Sequence, residues 1–135
     1  MLLTGKKIFI VEDDPLNLAV IRTILTKHGA SVSFDAWGSG MFDQLKLIQP
    51  VHLILLDLAL PRGVSGFDIY DQLRTKPEFA DIKVVLVTAA DPSTEMNKAR
   101  EKGLNGFISK PIDYNRFAQS IAAVLDGKQV WGDDF

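Results

Sequence analysis

Five short runs of apolar residues along the chain predict five β-strands, with helical patterns between them. The clearest run, Leu53–Leu56, is continuous and is bounded by turn signals, which is typical of a strand buried on both faces of a parallel sheet. The other predicted strands are Lys7–Val11, residues 31–34, residues 84–88 and Gly106–Ser109. This alternation predicts an α/β fold in which helices cover both faces of a parallel sheet.

Capping residues mark two of the predicted helices. Asp14-Pro15 and Asp91-Pro92 predict helix starts, because the Asp oxygen accepts hydrogen bonds from free N–H groups and proline fits the first helical position. Glycines at positions 29 and 103 predict the carboxyl-terminal ends of these two helices. The helical period of the first helix, which should run to about residue 28, indicates an inward stripe of Leu16, Ala19, Val20 and Ile24.

Three further helices complete the predicted pattern. One opens at Ser39 or Gly40, one at residues 65–68, which resemble a capping box with Asp in place of Glu, and one near Asp113. Residues 128–135 are expected to form a loose tail. The predicted inward positions of these helices are Met41, Phe42, Leu45, Ile48, Phe67, Tyr70, Leu73, Phe117, Ile121, Val124 and Leu125.

Composition narrows the class of protein. The chain has 135 residues, enough for one domain, assigned to residues 1–127, and its 47% hydrophobic and 24% charged content is typical of a folded soluble protein. A net charge of −2 without a basic block disfavours direct nucleic-acid binding, and the lack of cysteine leaves no disulfide or thiolate site. No apolar stretch approaches the roughly 20 residues of a membrane span and no signal peptide is recognisable, so the default expectation is a cytoplasmic location.

Polar side chains follow or end four of the five predicted strands. Glu12 and Asp13 follow the first, Asp57 the third and Lys110 the fifth, while Thr88 ends the fourth. Each residue alone has an ordinary structural explanation: a helix cap, a packed threonine or a solvated lysine. Because parallel strands end at one edge of the sheet, where ligands bind in such folds, their joint placement predicts a single site.

The chemistry of these groups suggests a metal and a phosphoryl group. Crowded carboxylates repel each other, so one takes up a proton unless a cation neutralises them. All-oxygen ligands suit Mg²⁺ or Mn²⁺ rather than Zn²⁺. Such a site binds phosphate through the metal, while an ammonium and a hydroxyl group contact the other phosphoryl oxygens. Asp57, in the middle strand, would be the nucleophile, as in aspartyl-phosphate chemistry.

Four sequence blocks resemble a known family. Residues 8–13 (IFIVED), 53–61 (LILLDLALP), 84–89 (VVLVTA) and 107–111 (FISKP) are similar, in order, to the signature blocks of response-regulator receiver domains. The resemblance covers about residues 6–126. It implies a flavodoxin-like (βα)5 doubly wound sheet with strand order 2-1-3-4-5, and a phosphorylation switch of two-component signalling rather than an enzyme.

The resemblance also implies a role for each site residue. Asp57 would be the phosphoacceptor, and Thr88 and Lys110 would contact the phosphoryl group. Phe107 would be the aromatic switch residue, which turns inward when Thr88 moves, and the Lys110-Pro111 bond would be cis. The Mg²⁺ ligands would be Asp13, Asp57, the Ala59 carbonyl and, chiefly through water, Glu12. Asn17, after the acidic cluster, is similar to a variant in stand-alone regulators and in receivers attached to hybrid kinases.

Two features depart from the family pattern. The loop at residues 61–66 is one residue longer than the usual spacing, which leaves its course open. The positions two after Asp57 and two after Thr88, which tune dephosphorylation in the family, are Ala59 and Ala90. Neither side chain can hydrogen-bond an attacking water.

Three other functions have different requirements. A flavodoxin-like cofactor protein needs a phosphate-binding loop after the first strand, where residues 12–14 (EDD) would repel a phosphate. A dehalogenase-type phosphatase needs a second Asp at the position of Ala59. A receiver-like interaction module that takes no phosphate is the remaining alternative.

The resemblance further implies the partners. The phosphoryl group would come from a sensor histidine kinase or a histidine phosphotransfer protein, because His28 and His52 lie at a helix end and a strand start and do not look like donors. No effector domain fits after the last helix. The output would therefore be a downstream protein target that binds the fourth helix, fifth strand and fifth helix.

Overall fold

The computed structural model describes residues 1–36 and 40–132, and they form one sheet covered by helices on both faces. The strands are β1 (Lys7–Val11), β2 (Ser31–Asp35), β3 (Leu53–Leu56), β4 (Lys83–Thr88), β5 (Gly106–Ser109) and β6 (Val130–Trp131). The helices are α1 (Pro15–Lys27), α2 (Met41–Leu47), α3 (Gly66–Arg74), α4 (Pro92–Lys102) and α5 (Phe117–Leu125). None of these helices is both long and apolar enough to cross a membrane.

The strand order confirms the predicted topology and extends it. The described sheet runs β2-β1-β3-β4-β5-β6, and every neighbouring pair is parallel. The predicted order 2-1-3-4-5 is therefore present, with a sixth strand added beyond β5. The expectation of a loose tail is wrong at Val130 and Trp131, which pair with Gly106 and Phe107.

Two apolar cores lie on opposite faces of the sheet because successive strand residues point to opposite sides. Phe9, Ile54 and Leu86 face the core under α2, α3 and α4, whereas Ile10 and Leu55 face the core under α1 and α5. The middle strand β3 is buried at all four positions, as its unbroken apolar sequence predicted. A strand covered in this way fixes the position of the residue that follows it.

The caps of α1 and α4 follow the sequence prediction. The Asp14 side chain accepts a hydrogen bond from the Leu16 backbone N–H, and the Asp91 side chain does the same for Ser93. Gly103, with φ of 97°, ends α4 in the left-handed conformation that favours glycine. Only three residues therefore connect β1 to α1 and β4 to α4, so the loops at the carboxyl ends of these strands are short.

The predicted inward stripe of α1 is wrong in phase. The buried residues are Ile21, Ile24 and Leu25, whereas Leu16 is 72% exposed and Ala19 is exposed. Leu16 lies in the first turn, on a face of the helix that is exposed to solvent. Only Ile24 of the predicted stripe is fully buried, and Val20 is partly buried.

Two other helix details differ from expectation, whereas the start of α2 after Gly40 agrees with it. Helix α5 begins at Phe117, because residues 113–116 form a turn in which the Asp113 side chain accepts a hydrogen bond from the Asn115 N–H. Gly40 precedes α2 without a side-chain cap, and the alternative start, Ser39, lies outside the described residues. The predicted inward residues Phe42, Ile48 and Leu125 are only partly buried.

Candidate functional site

The strand register brings the predicted site residues to one edge of the sheet. Val11 pairs with Leu56, so the residues that follow them, Glu12 and Asp57, leave neighbouring strands side by side. Thr88 pairs with Ser109, which places Lys110 directly beyond the end of β4. The five polar residues that sequence analysis singled out therefore lie at the carboxyl ends of β1, β3, β4 and β5.

Three carboxylates form the acidic part of the site. One oxygen each from Glu12, Asp13 and Asp57 lies within 4.8 Å of the others. Glu12 and Asp57 are 3% and 7% exposed, whereas Asp13 faces solvent. Oxygen-only donors at this spacing, open to solvent on the Asp13 side, fit a hard divalent cation such as Mg²⁺.

The Lys110 ammonium group contacts two of these carboxylates. Its Nζ lies 2.5 Å from Oε1 of Glu12 and donates a hydrogen bond of 2.9 Å to Oδ2 of Asp57. The Lys110-Pro111 peptide bond is cis, as the resemblance implied. The lysine thus offsets part of the negative charge held at the edge of the sheet.

For both Glu12 and Lys110, burial and ion pairing shift the pKa in opposite directions. Burial raises the pKa of the Glu12 carboxyl above its usual value, and the hydrogen bond and charge of Lys110 offset this only in part. Burial alone would lower the pKa of Lys110, but its hydrogen bonds to Glu12 and Asp57 outweigh that effect and raise the pKa. Lys110 therefore stays a cation throughout the neutral range.

Thr88, at the end of β4, and Phe107, in β5, lie on neighbouring strands. The Thr88 side chain is buried, and its hydroxyl oxygen accepts a hydrogen bond of 3.2 Å from the Ala90 N–H. Within the described chain, no hydrogen bond joins Thr88 to the carboxylates. Phe107 is fully buried in the core beneath α4, three residues before Lys110.

The loop after β3 supports Asp57 from its backbone. Ala59 is exposed and its N–H lies 3.4 Å from Oδ1 of Asp57, while Ala59 also forms an isolated antiparallel bridge with Ser65. The loop at residues 61–66, whose course the sequence left open, begins with a 3₁₀ turn at Pro61–Gly63, in which Arg62 is in the left-handed region at φ of 62°, and then continues in extended conformation to α3. The bridge closes this loop back onto the site.

Gly66 has a role at the site that was not among the sequence predictions. A Cβ atom at this position would lie 2.3 Å from the Asp57 carbonyl oxygen, too close for any residue other than glycine. The sequence does contain a signal for this role, because glycine has a low helix propensity and yet occupies the first position of the helix, directly after the N-cap Ser65. The first turn of α3 thus packs directly on the backbone of Asp57.

Neither histidine lies at the site. His52 precedes β3, at the opposite end of the strand from Asp57, and its Nδ1 accepts a hydrogen bond of 2.9 Å from the Lys7 N–H. His28 follows α1, and its N–H closes that helix. Both histidines belong to the amino-terminal side of the sheet.

Comparisons with known proteins agree with this geometry. A family profile described as response regulator receiver domain matches residues 8–122. Protein PilH of Pseudomonas aeruginosa is 31% identical over 121 residues, which are 90% of this chain and 98% of the relative. The polar-differentiation response regulator DivK of Brucella ovis is 32% identical over 120 residues, which are 89% of this chain and 96% of the relative.

A solved structure supports the same assignment. The receiver domain of the sensor histidine kinase PA1611 from Pseudomonas aeruginosa PAO1, which has a magnesium ion coordinated in its active site cleft, superposes with a TM-score of 0.77. The two chains are 25% identical, and the match covers 93% of this chain and all of that domain. With most of its length matched by the family profile, the chain belongs to the response regulator receiver domain family.

Proposed function

We propose that the protein takes a phosphoryl group from a phosphohistidine of a partner onto Asp57, in a reaction that requires Mg²⁺, and thereby switches a protein-binding surface. The partner is a sensor histidine kinase or a histidine phosphotransfer protein. The observation that carries the proposal is the buried Asp57 carboxylate, bonded to Lys110 beside two further acidic groups.

The transfer needs only a positioned nucleophile and neutralised charge. A carboxylate oxygen of Asp57 attacks phosphorus, and the bond from phosphorus to the imidazole nitrogen breaks, with its electron pair staying on the partner histidine. Lys110, already 2.9 Å from Oδ2 of Asp57, is in reach of the incoming phosphoryl oxygens. Thr88, at the end of the adjacent strand, supplies a hydroxyl to the same group once it turns from the Ala90 N–H.

The acidic cluster is the proposed metal site. Asp13 and Asp57 bind Mg²⁺ directly, Glu12 acts through water, and the Ala59 carbonyl is a further ligand. When bound, the ion offsets the charge that builds up on the phosphoryl oxygens. Mn²⁺, with the same preference for oxygen, would substitute.

The donor histidine is assigned to a partner because this chain has none to offer. His52 is at the far end of β3, with one ring nitrogen already accepting a hydrogen bond from the Lys7 N–H, and His28 closes α1.

The proposed response to phosphorylation involves Thr88 and Phe107, and the proposed target surface is α4, β5 and α5. The cytoplasmic location expected from the sequence stays a prediction.

The proposal is tested by labelling with acetyl phosphate. Wild-type protein in Mg²⁺ buffer should gain one phosphoryl group, mapped to Asp57 by mass spectrometry after reduction of the acyl phosphate with borohydride. Asp57→Asn keeps the shape of the side chain but removes the nucleophile, so the label should fall to background.

A control variant makes the same Asp→Asn change at an exposed position away from the site. Asp68→Asn, on the solvent side of α3, should label like the wild type. Unchanged labelling of Asp57→Asn would move the site to another residue. A wild type that takes no label would favour the alternative function, a receiver-like interaction module that acts without phosphorylation.

A further inference from the structure

The outer edge of β5 is closed by the carboxyl-terminal segment of the same chain. The Val130 N–H donates a hydrogen bond of 3.2 Å to the Asn105 carbonyl, and the Gly132 N–H donates one of 2.8 Å to the Phe107 carbonyl. Residues 129–132, here called the cover segment, therefore add a two-residue strand where the edge of a sheet would otherwise be open to partners.

The Trp131 side chain anchors the cover segment in the core. This side chain is 7% exposed and belongs to the same core as Phe107, its neighbour across the strand pair. The Arg100 guanidinium of α4 lies 4.8 Å from the centre of the Trp131 ring, a cation–π contact. The indole N–H donates a hydrogen bond of 3.0 Å to the Gln129 side chain.

The segment lies between the helices on either side of β5. On one side, Gly132 approaches α4 so closely that an added Cβ would lie 3.0 Å from Cε of Met96. On the other, the Lys128 N–H donates a hydrogen bond of 3.0 Å to the Ala123 carbonyl of α5. The chain itself thus occupies part of the surface, α4, β5 and α5, that we propose for its target.

Strand β5 connects the cover segment to the site. The Phe107 carbonyl in this strand accepts the hydrogen bond from the Gly132 N–H. Three residues later, Lys110 contacts Glu12 and Asp57. A phosphoryl group on Asp57 would compete for the Lys110 ammonium and so move the end of β5. The cover segment is a strand of only two residues, anchored by the buried side chains of Val130 and Trp131, and a strand this short should open at lower cost than the central strands.

From this arrangement we propose that the cover segment is a displaceable, autoinhibitory strand, docked on β5 while Asp57 is unmodified and loosened when Asp57 is phosphorylated. The inference rests on the proposed function. A target reaches the α4, β5 and α5 surface only after the segment leaves, so phosphorylation controls access to this surface as well as its shape.

Hydrogen exchange in the full chain tests the proposal. In Mg²⁺ buffer, acetyl phosphate should speed exchange of the Val130 and Gly132 amides at least tenfold. The Ser31 amide, which lies in the other edge strand, β2, and donates a hydrogen bond to the Lys6 carbonyl, should not change. The degree of Asp57 labelling is measured on the same samples by intact mass.

Variants of the anchor supply a second readout. Trp131→Ala should give fast exchange of both amides without phosphorylation, with no further gain on labelling, and Trp131→Phe should restore most of the protection. Because coupling is reciprocal, Trp131→Ala should also bind beryllium fluoride, a mimic of the phosphoryl group, several-fold more tightly in Mg²⁺. Lys128→Ala, an exposed neighbour, should behave as the wild type in both measurements.

The outcomes separate the two proposals. If Asp57 is labelled and the two amides exchange at the same rate or more slowly, the cover segment is not displaced by phosphorylation, although the phosphotransfer function stands. If beryllium fluoride binds Trp131→Ala and wild type equally, the coupling is absent. If Asp57 takes no label, the proposed function fails and the cover proposal fails with it.

Discussion

Lys110 shows how single residues at this site depend on each other. Its ammonium group contacts both Glu12 and Asp57, so two nearly buried carboxylates share one cation. Removing one member of such a group leaves a buried charge without its partner, which costs more than the pair contributes. The same contact places a positive charge where a phosphoryl group on Asp57 would need it.

The lifetime of the phosphorylated state is also a property of single residues. Hydrolysis of an acyl phosphate needs a water in line with the bond, and a side chain that orients this water lowers the barrier. Ala59 and Ala90 provide no such group, so we expect slow self-dephosphorylation. The double substitution Ala59→Asn and Ala90→Glu should speed decay tenfold or more, where each tenfold corresponds to about 1.4 kcal/mol of barrier.

Decay of purified, labelled protein in Mg²⁺ buffer measures this rate. Ala80→Glu, which places the same charge at an exposed alanine outside the site, should leave the rate unchanged. A wild type that decays as fast as the double variant would indicate that the backbone of the loop at residues 61–66 orients the water instead.

The sequence predicted which residues form the site but not their contacts. Glu12, Asp57, Thr88 and Lys110 were identified because each comes at the end of an apolar strand, a pattern that a parallel sheet turns into proximity. The pairing of Lys110 with two carboxylates and the contact of Gly66 with Asp57 depend on side-chain reach and loop course. Neither is encoded in spacing along the chain.

At the scale of elements, strands were easier to predict than helices. Every residue of β3 and most of β4 are buried, so their apolar sequence marks their bounds to within one residue. Helix α1 has the predicted period but the wrong phase, because Ile21 and Leu25 lie on its buried face whereas Leu16 is exposed. Strand β6 has two residues, too few for any alternation to be detected.

The junction of β3 and α3 makes an element-scale prediction. Gly66→Ala places a Cβ against the Asp57 carbonyl, and because the neighbour is backbone, it has little freedom to move aside. Such overpacking should lower the free energy of unfolding by about 1–3 kcal/mol. The shift of Asp57 should also slow its labelling by acetyl phosphate.

Urea denaturation followed by circular dichroism measures the stability loss. Gly40→Ala is the matched control, because a Cβ at Gly40 meets nothing within 4 Å and its φ is negative. Its loss should be smaller, and its labelling should match the wild type. Equal stability losses in the two variants would mean that α3 shifts to relieve the contact.

At the scale of the whole molecule, the site exists only in the folded chain. Its residues come from β1, β3, β4 and β5, at positions as far apart as Glu12 and Lys110, and the two cores hold those strands in register. An unfolded chain cannot bring the carboxylates together. Any ion that binds there therefore stabilises the native state by mass action.

Mg²⁺ should accordingly raise the melting temperature of the domain. At a free Mg²⁺ concentration of 100 times its dissociation constant, the expected gain is about 2.7 kcal/mol. For a domain of this size, each kcal/mol corresponds to roughly 4 °C, so a shift on the order of 10 °C is expected.

Asp13→Ala should lose most of this response, because it removes a proposed direct ligand while its exposed position spares the core. Calorimetry with and without Mg²⁺ measures the shift, and Asp81→Ala, at an exposed carboxylate away from the site, should respond like the wild type. Equal shifts for Asp13→Ala and the wild type would show that Mg²⁺ stabilises the protein from another site, and the metal assignment would be wrong.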